Sequence, residues 1–285
     1  MNYLITTAGK GSRFFKQGLK PFKPLIKIYG KESLLWSLDS FKFKSNDNLF
    51  IIYNKNDCDL EKFLKNKINK LVSCKLNFVN IEITTKGQLE TAKLALDKID
   101  IKGPLLIFNN DSFFNCNIDF EKYRSVHGLI PVFENEIGDH FSFVKPSKNK
   151  SFICEKVSEK VKISDLCSIG AYFFSSPNLI IENYKEYTRD FVKSDQELFI
   201  APFYNYLINK GMIVEYVLID NNYKIFGTPK ELCKTFNITW EELKADNAIK
   251  GNHISTLIID IDDTICKVDK DLDYADRVPI ENMIK

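Results

Sequence analysis

The 285-residue sequence lacks any apolar run approaching the roughly 20 residues that a membrane-crossing helix needs. It also lacks, at its amino end, the basic stretch and apolar core of a secretory leader. Its seven cysteines (Cys58, Cys74, Cys116, Cys154, Cys167, Cys233, Cys266) are scattered, odd in number and without C-x-x-C spacing. That argues against a zinc site or a disulfide framework and fits a reduced, cytoplasmic setting. Net charge is nearly absent: 40 Lys+Arg against 38 Asp+Glu leave +2, so no field of one sign draws nucleic acid or a membrane surface. Two common phosphate-loop spacings are missing, G-x-x-x-x-G-K-[ST] and G-x-G-x-x-G. What remains is a soluble globular composition, 44% hydrophobic and 27% charged, long enough for one large domain or one and a half smaller ones. Small molecules are the expected partners.

The stretch Leu4–Leu25, LITTAGKGSRFFKQGLKPFKPL, organises the rest. Apolar Leu4 and Ile5 run into small residues and two glycines, Ala8, Gly9 and Gly11, then Ser12 and Arg13. Glycine lets the backbone adopt positive φ and come close to a ligand, so successive N–H groups can point at an anion. Arg13 offers a planar fork for phosphate oxygens, and Lys23, ten residues on, a point charge held by Pro24. Such a turn is either a phosphate cradle or a plain strand-to-helix turn, and the loop alone does not choose.

Further along, Ser33–Phe41 places Leu34, Leu35, Leu38 and Phe41 at helical spacing, and Leu49–Tyr53 reads as a buried strand. Leu60–Leu71 reads as a helix with Leu60, Phe63, Leu64, Ile68 and Leu71 inward. Two β-α units in succession predict a parallel sheet covered by helices. A short strand from Val79 ends at Thr84 or Thr85, and Gly87 and Gln88 turn into a helix. The apolar strand LLIF, starting at Leu105, delivers Asn109, Asn110 and Asp111 at its carboxyl end, where α/β sheets bind ligands. A carboxylate there can hold Mg²⁺ against phosphate oxygens, although Asn-Asp after a strand is also an ordinary turn former. Further strands are expected over Gly128–Phe133, His140–Val144 and Phe152–Val157, and a helix over Glu197–Asn209 with Gly211 as its C-cap.

As a whole, AGKGSRF followed by KPL resembles the signature of the sugar-phosphate nucleotidylyltransferases, with their G-x-G-[ST]-R loop and downstream Lys-Pro. The resemblance implies an α/β, Rossmann-like (GT-A-like) fold with a mixed, mainly parallel central sheet flanked by helices. It implies transfer of a nucleoside monophosphate from NTP to a phosphorylated acceptor, with Mg²⁺, releasing pyrophosphate. Carried onto this sequence, Ala8, Gly9, Gly11 and Ser12 cradle phosphates and Arg13 stabilises the departing pyrophosphate. Lys23 bridges to the α-phosphate, Asp111 holds the metal, Asn110 binds the nucleotide, and Gly87 and Gln88 contact the base. Glu155 and Lys156 resemble the family's Glu-Lys near the acceptor, although on a straight strand only one of them can face a site, and exposed edge charges are the plain alternative. Gly170, in a segment resembling G-x-Y-x-F, would let backbone approach the acceptor, with Tyr172–Phe174 in the core. Gly227-Thr228-Pro229 resembles the family's closing Gly-Thr-Pro, but Ile225 stands where relatives often carry a second metal Asp. Asp220 or Asp195 are the substitutes the sequence offers, unless Asp111 and phosphates suffice.

The resemblance covers residues 1 to about 235, giving a nucleotidyltransferase domain over 1–236. A polar helical segment over 237–254, closed by Gly251 and Asn252, reads as a linker. Residues 255–285 start afresh: STLIIDIDDT is an apolar strand ending in D-x-D-x-T, which resembles the first motif of haloacid dehalogenase-like (HAD-like) phosphatases. There Asp260 would be nucleophile and Asp262 acid/base. With 21 residues after Thr264 the later motifs of that family have no place, so no phosphatase activity is expected. The pairing of the two motifs resembles enzymes of capsule and surface-polysaccharide assembly. CTP is therefore the first expected nucleotide, UTP or dTTP the second, and a phosphorylated sugar, polyol or amino acid, such as fructose 6-phosphate, the acceptor. A non-catalytic nucleotide-binding regulator is the rival reading, and homo-oligomerisation stays open.

Overall fold

The computed structural model describes residues 1–248 except Lys10, Lys20, 55–57, 136–139 and 192–196. Strand β1 (Asn2–Thr6) leads through the glycine loop to α1 (Ser12–Phe15), a 3-10 turn at Lys23–Leu25 and the small hairpin β2 (Lys27–Ile28) and β3 (Lys31–Glu32). Strand and helix then alternate: α2 (Ser33–Leu38), β4 (Asn48–Asn54), α3 (Cys58–Leu71), β5 (Lys75–Ile81), α4 (Gln88–Leu96) and β6 (Leu105–Asn109). A strand-rich stretch follows with β7 (Ser112–Phe114), β8 (Gly128–Glu134), β9 (Ser142–Pro146), β10 (Cys154–Glu159), β11 (Leu166–Ser168) and β12 (Ala171–Phe174). Then come α5 (Asn178–Tyr187), α6 (Ile200–Asn209), β13 (Val214–Leu218), β14 (Tyr223–Ile225), α7 (Pro229–Phe236) and α8 (Trp240–Asp246).

The main sheet runs β10-β9-β11-β8-β12-β6-β1-β4-β5, with β13 also on β8. It is the mixed, helix-flanked α/β sheet that the sequence predicts. Its half from β6 to β5 is parallel, and antiparallel pairing enters at β12 and continues through β8, β11, β9 and β10. Strand β1 lies between β4 and β6, with Ile5 opposite Ile51 and Phe108. Leu4 and Ile5 are both fully buried, as a parallel strand covered on two faces requires. Alternation sends Leu4, Ile52 and Ile107 to the face carrying α4 and α6, and Ile5, Ile51 and Phe108 to the face carrying α2, where Leu34 and Leu38 are buried. Leu60 and Ile68 of α3 are buried as expected, whereas Leu71, at the helix end, is exposed. Strand β10 begins two residues later than the apolar pattern indicates, which matters for the site. Among the described residues no helix is long and apolar enough to cross a membrane.

A third, smaller core joins Phe14 of α1 and Ile26 and Ile28 beside β2 to Phe226, Phe236 and Leu243. Residues 237–247 are therefore not a free linker. Helix α8 opens with a complete Thr239–Glu242 capping box and ends at Asn247, within the same compact unit, Met1–Asn247. Asn247 is the clasp: its Oδ1 accepts from Lys27 N at 2.7 Å, and its Nδ2 donates to Lys27 O and Leu243 O, each at 2.8 Å. Asp246 Oδ2 accepts from Gly30 N at 3.0 Å. Asp246 and Asn247 thus have partners in β2 and its turn, which composition alone does not reveal. Asn247→Ala leaves both Lys27 backbone groups unpaired, and a stability loss of about 2 kcal/mol is expected in urea unfolding at unchanged m-value.

Candidate active site

In register, Thr6 lies opposite Asn109, so the loop after β1 and the Asn110–Asp111 step after β6 leave the sheet side by side. Thr7 carries the first strand one residue further, its N–H and Oγ1 both donating to Ile52 O at 2.8 and 2.7 Å. Gly11 then turns with φ +59°, and a Cβ there would press within 3.0 Å of Lys23 Cβ. Glycine therefore permits both the left-handed turn and the approach of the Lys23–Leu25 turn. Pro24 is buried, and Ser33 Oγ donates to Lys23 O at 2.6 Å. Held this way, Lys23 Nζ donates to Asp111 Oδ2 at 3.2 Å.

A cavity of about 630 Å³ opens above this pair. Ala8, Gly9, Gly11, Ser12 and Arg13 line it from the loop, and Lys23, Asn110 and Asp111 line its base. Gly87 and Gln88 form another part of the lining. Leu198 docks on this turn, donating to Lys86 O and accepting from Leu89 N, both at 2.9 Å. A Cβ at Gly87 would fall 2.5 Å from Leu198 O, so a side chain has no room. Gln88 Nε2 donates to Thr6 Oγ1 at 3.1 Å and to Asn109 Oδ1. Gly170, also in the lining, has φ +84° and packs against Asn109, whose Nδ2 would lie 2.9 Å from a Cβ there. Its missing side chain thus makes room for the amide that orients Gln88. Asn110 is 7% exposed, and its Nδ2 has no partner among the described residues.

Other expected site residues are elsewhere. Glu155 and Lys156 are both exposed and outside the cavity lining, with Lys145 Nζ donating to Glu155 Oε1 at 2.5 Å. A register shift between Cys154 and Lys156 against β9 bends β10, so both side chains reach solvent while Cys154 and Val157 stay buried. The Glu-Lys pair in the cavity is the next one along, Glu159 and Lys160. Two Glu-Lys dipeptides four residues apart were the available signal, and only the strand's bulge and end decide between them. Asp220 is exposed between β13 and β14, accepting from Asn222 N at 3.0 Å and Asn115 Nδ2 at 3.3 Å. It closes a turn and is not among the residues that line the cavity. Asp195, Asp260 and Asp262 lie outside the described residues. The sequence reading also missed His140, Glu197 and Glu231, all of which line the cavity.

Around Glu159 the site is polar and half-buried. Its carboxylate accepts from Ser142 Oγ, which lies 3.1 Å from the buried Tyr172 hydroxyl. Burial pushes the Glu159 carboxyl above its ordinary range, opposed by the Ser142 hydroxyl and by Lys160 and reinforced by Glu197. The native state therefore holds this proton more tightly than the unfolded chain does. The resulting stability is complete below the unfolded carboxyl's pKa and is lost as pH rises through the folded one. Glu159→Gln is expected to flatten that decline, so the thermal midpoint of the variant gains on the wild type between pH 4 and pH 8, as calorimetry across that range would show.

No protein-family model matches the chain, and no curated protein does. Solved structures do. An inositol-1-phosphate CTP transferase from T. maritima aligns with TM-score 0.64 at 12% identity, over 88% of this chain and 96% of its own. A UDP-glucose pyrophosphorylase complexed with UDP-glucose aligns with TM-score 0.66 at 17% identity, over 83% of this chain and 97% of its own. At those identities the likeness is one of fold. A nucleoside-diphosphate-sugar pyrophosphorylase from Vibrio cholerae RC9 goes further, with TM-score 0.74 and 31% identity over 83% of this chain and 100% of its own. With that identity across the whole of a relative, on top of the shared fold, this chain belongs to the nucleoside-diphosphate-sugar pyrophosphorylase family.

Proposed function

We propose that the chain is a nucleotidylyltransferase that moves a nucleoside monophosphate, CMP first among the choices, from NTP onto a phosphorylated sugar or polyol and releases pyrophosphate. The observation that carries this is the meeting of Lys23 and Asp111, 3.2 Å apart, under the Gly9–Arg13 loop at the carboxyl ends of β1 and β6. An oxygen of the acceptor phosphate attacks the α-phosphorus. As that P–O bond forms, the bond to the β-phosphate breaks, and its electron pair leaves with pyrophosphate. The acceptor phosphate is already ionised, so no general base is needed. The chain's task is to hold two anions in line and to neutralise the charge that shifts between them. Loop N–H groups and Ser12 hold the β- and γ-phosphates, Arg13 stabilises the leaving pyrophosphate, and Lys23 reaches the α-phosphate from its present position at Asp111.

A divalent cation, Mg²⁺ in this reading, fits the residues present. The Asp111 carboxylate lines a polar cavity that is large enough for phosphates, and it supplies the hard oxygen such a cation takes together with phosphate oxygens. Asp111 would hold the cation, which when bound offsets phosphate charge in the transition state. Base recognition falls to the Gly87–Gln88 turn in this reading. Gln88 lines the cavity, where an amide can read the polar edge of a base, and the choice of CTP among the nucleotides rests on the motif pairing. On the acceptor side, Glu159, Lys160 and the backbone at Gly170 suit sugar hydroxyls and a phosphate. Fructose 6-phosphate, a cytoplasmic setting and a role in capsule or surface-polysaccharide assembly complete the reading, resting on the motif pairing set out above.

Pyrophosphate release should be assayed with Mg²⁺, each of CTP, UTP, dTTP, ATP and GTP, and a pool of phosphorylated sugars, polyols and amino acids. Release with CTP above all others is the expected outcome. Binding of CTP without release from any pool would favour the regulator instead. Arg13→Ala and Asp111→Asn are each expected to lower turnover about a hundredfold or more in protein that remains folded.

A further inference from the structure

We infer that Asn109 meets the 2′-hydroxyl of the nucleotide's ribose, so that the site takes ribonucleotides in preference to 2′-deoxyribonucleotides. The inference deepens the nucleotidylyltransferase reading given above and rests on it.

Asn109 ends β6 in the lining of the cavity. Its backbone is held from both sides, opposite Thr6 on β1 and with its N–H donating to Gly170 O at 3.0 Å. Its side chain is tied to Gln88, whose Nε2 donates to Asn109 Oδ1, and Asp111 follows two residues later. In the proposed reading Gln88 faces the base, while Lys23, 3.2 Å from Asp111, reaches the α-phosphate. A nucleoside 5′-phosphate carries its ribose between base and phosphate. A residue set between those two subsites therefore meets the ribose. Being bonded to the base-facing side chain, Asn109 meets the edge nearer the base, where C2′ adjoins the C1′ that bears it.

The Asn109 amide has two polar ends. Gln88 engages one, and the other, Nδ2, has no hydrogen-bond partner among the described residues. That end lies over Gly170, where a Cβ would come within 2.9 Å of Nδ2 and 3.2 Å of Asn109 Cβ and Cγ. Gly170, at φ +84°, thus leaves room for the amide while offering no side chain to bond it. An uncharged amide does not rival Arg13 or Lys23 for phosphate oxygens. It suits a hydroxyl, which both donates and accepts and so serves either end of an amide. With a methylene at C2′ instead, the bound nucleotide would shut water from the amide and leave it unpaired, which is how a hydrogen-bonding site rejects a ligand that lacks the hydroxyl. Of UTP and dTTP, only UTP carries the group that Asn109 would bind.

The test is titration calorimetry of the full chain with Mg²⁺ and no acceptor, comparing each of CTP, UTP, ATP and GTP with its 2′-deoxy and 3′-deoxy counterparts. For whichever base is bound, the ribonucleotide is expected to bind about tenfold or more tightly than the 2′-deoxy form, with the 3′-deoxy form close to the ribonucleotide. Asn109→Ala, and Asn109→Leu, which keeps the bulk, are expected to bring the ribo and 2′-deoxy forms to parity. A residue that only supported Gln88 would lower both affinities alike and preserve their ratio, so the ratio separates contact from support. Circular dichroism melts of each variant establish that it is folded. Equal binding of ribo and 2′-deoxy forms by the wild type, a ratio that both variants preserve, or a loss confined to the 3′-deoxy form would overturn this inference and leave the nucleotidylyltransferase reading standing. Binding of no nucleotide would overturn both.

Discussion

The pairing of β1 with β6, Thr6 beside Asn109, is the constraint on which the site depends. Two strands that are buried on both faces cannot slip by one residue without turning Leu4, Ile5, Ile107 and Phe108 to the opposite layers. Register is therefore fixed by the core, and the core in turn fixes where each strand ends. The glycine loop and the Asp111 step emerge together because hydrophobic burial leaves them no other alignment. The polar chemistry at the rim is positioned by side chains that never touch it.

From that fixed edge the cavity is closed by close backbone approaches, each at a residue without a side chain. Gly11 admits Lys23, Gly87 admits the Leu198 backbone, and Gly170 admits the Asn109 amide. The small third core, which ties Phe14 to Phe226 and Phe236, holds the loop region against the Gly-Thr-Pro turn and α7. The site is thus assembled from segments far apart in sequence, each anchored by apolar contacts outside the cavity.

Much of this was legible in the sequence, for identifiable reasons. Apolar strands that end in small or acidic residues announce both their burial and their rim, so Leu4–Arg13 and Leu105–Asp111 could each be read as carrying polar groups to a ligand, and the pairing of β1 with β6 is what sets them side by side. What could not be read was set by local geometry without a compositional trace. The bulge at Cys154–Lys156 exposes one Glu-Lys pair, and the cavity takes the next. Asp220 is near Ile225 in sequence but belongs to a turn outside the cavity. The segment 237–247 reads as a polar linker, yet its Ile238 and Leu243 enter the third core and its Asn247 makes the two hydrogen bonds that fasten Lys27. In each instance the deciding partner is distant in sequence or depends on a one-residue irregularity, and periodicity carries no record of either.

The contact between Lys23 and Asp111 also bears on inheritance. Their side chains are 16% and 31% exposed, so a mutation that removes either charge strands the other in a half-dry pocket and gains nothing in return. Neither position can drift alone. A descendant that abandons the site's chemistry is relieved of strain only by losing both charges, and one that retains it keeps both. The two residues, 88 positions apart in the chain, therefore form a single unit of variation, to be seen among relatives as joint presence or joint absence.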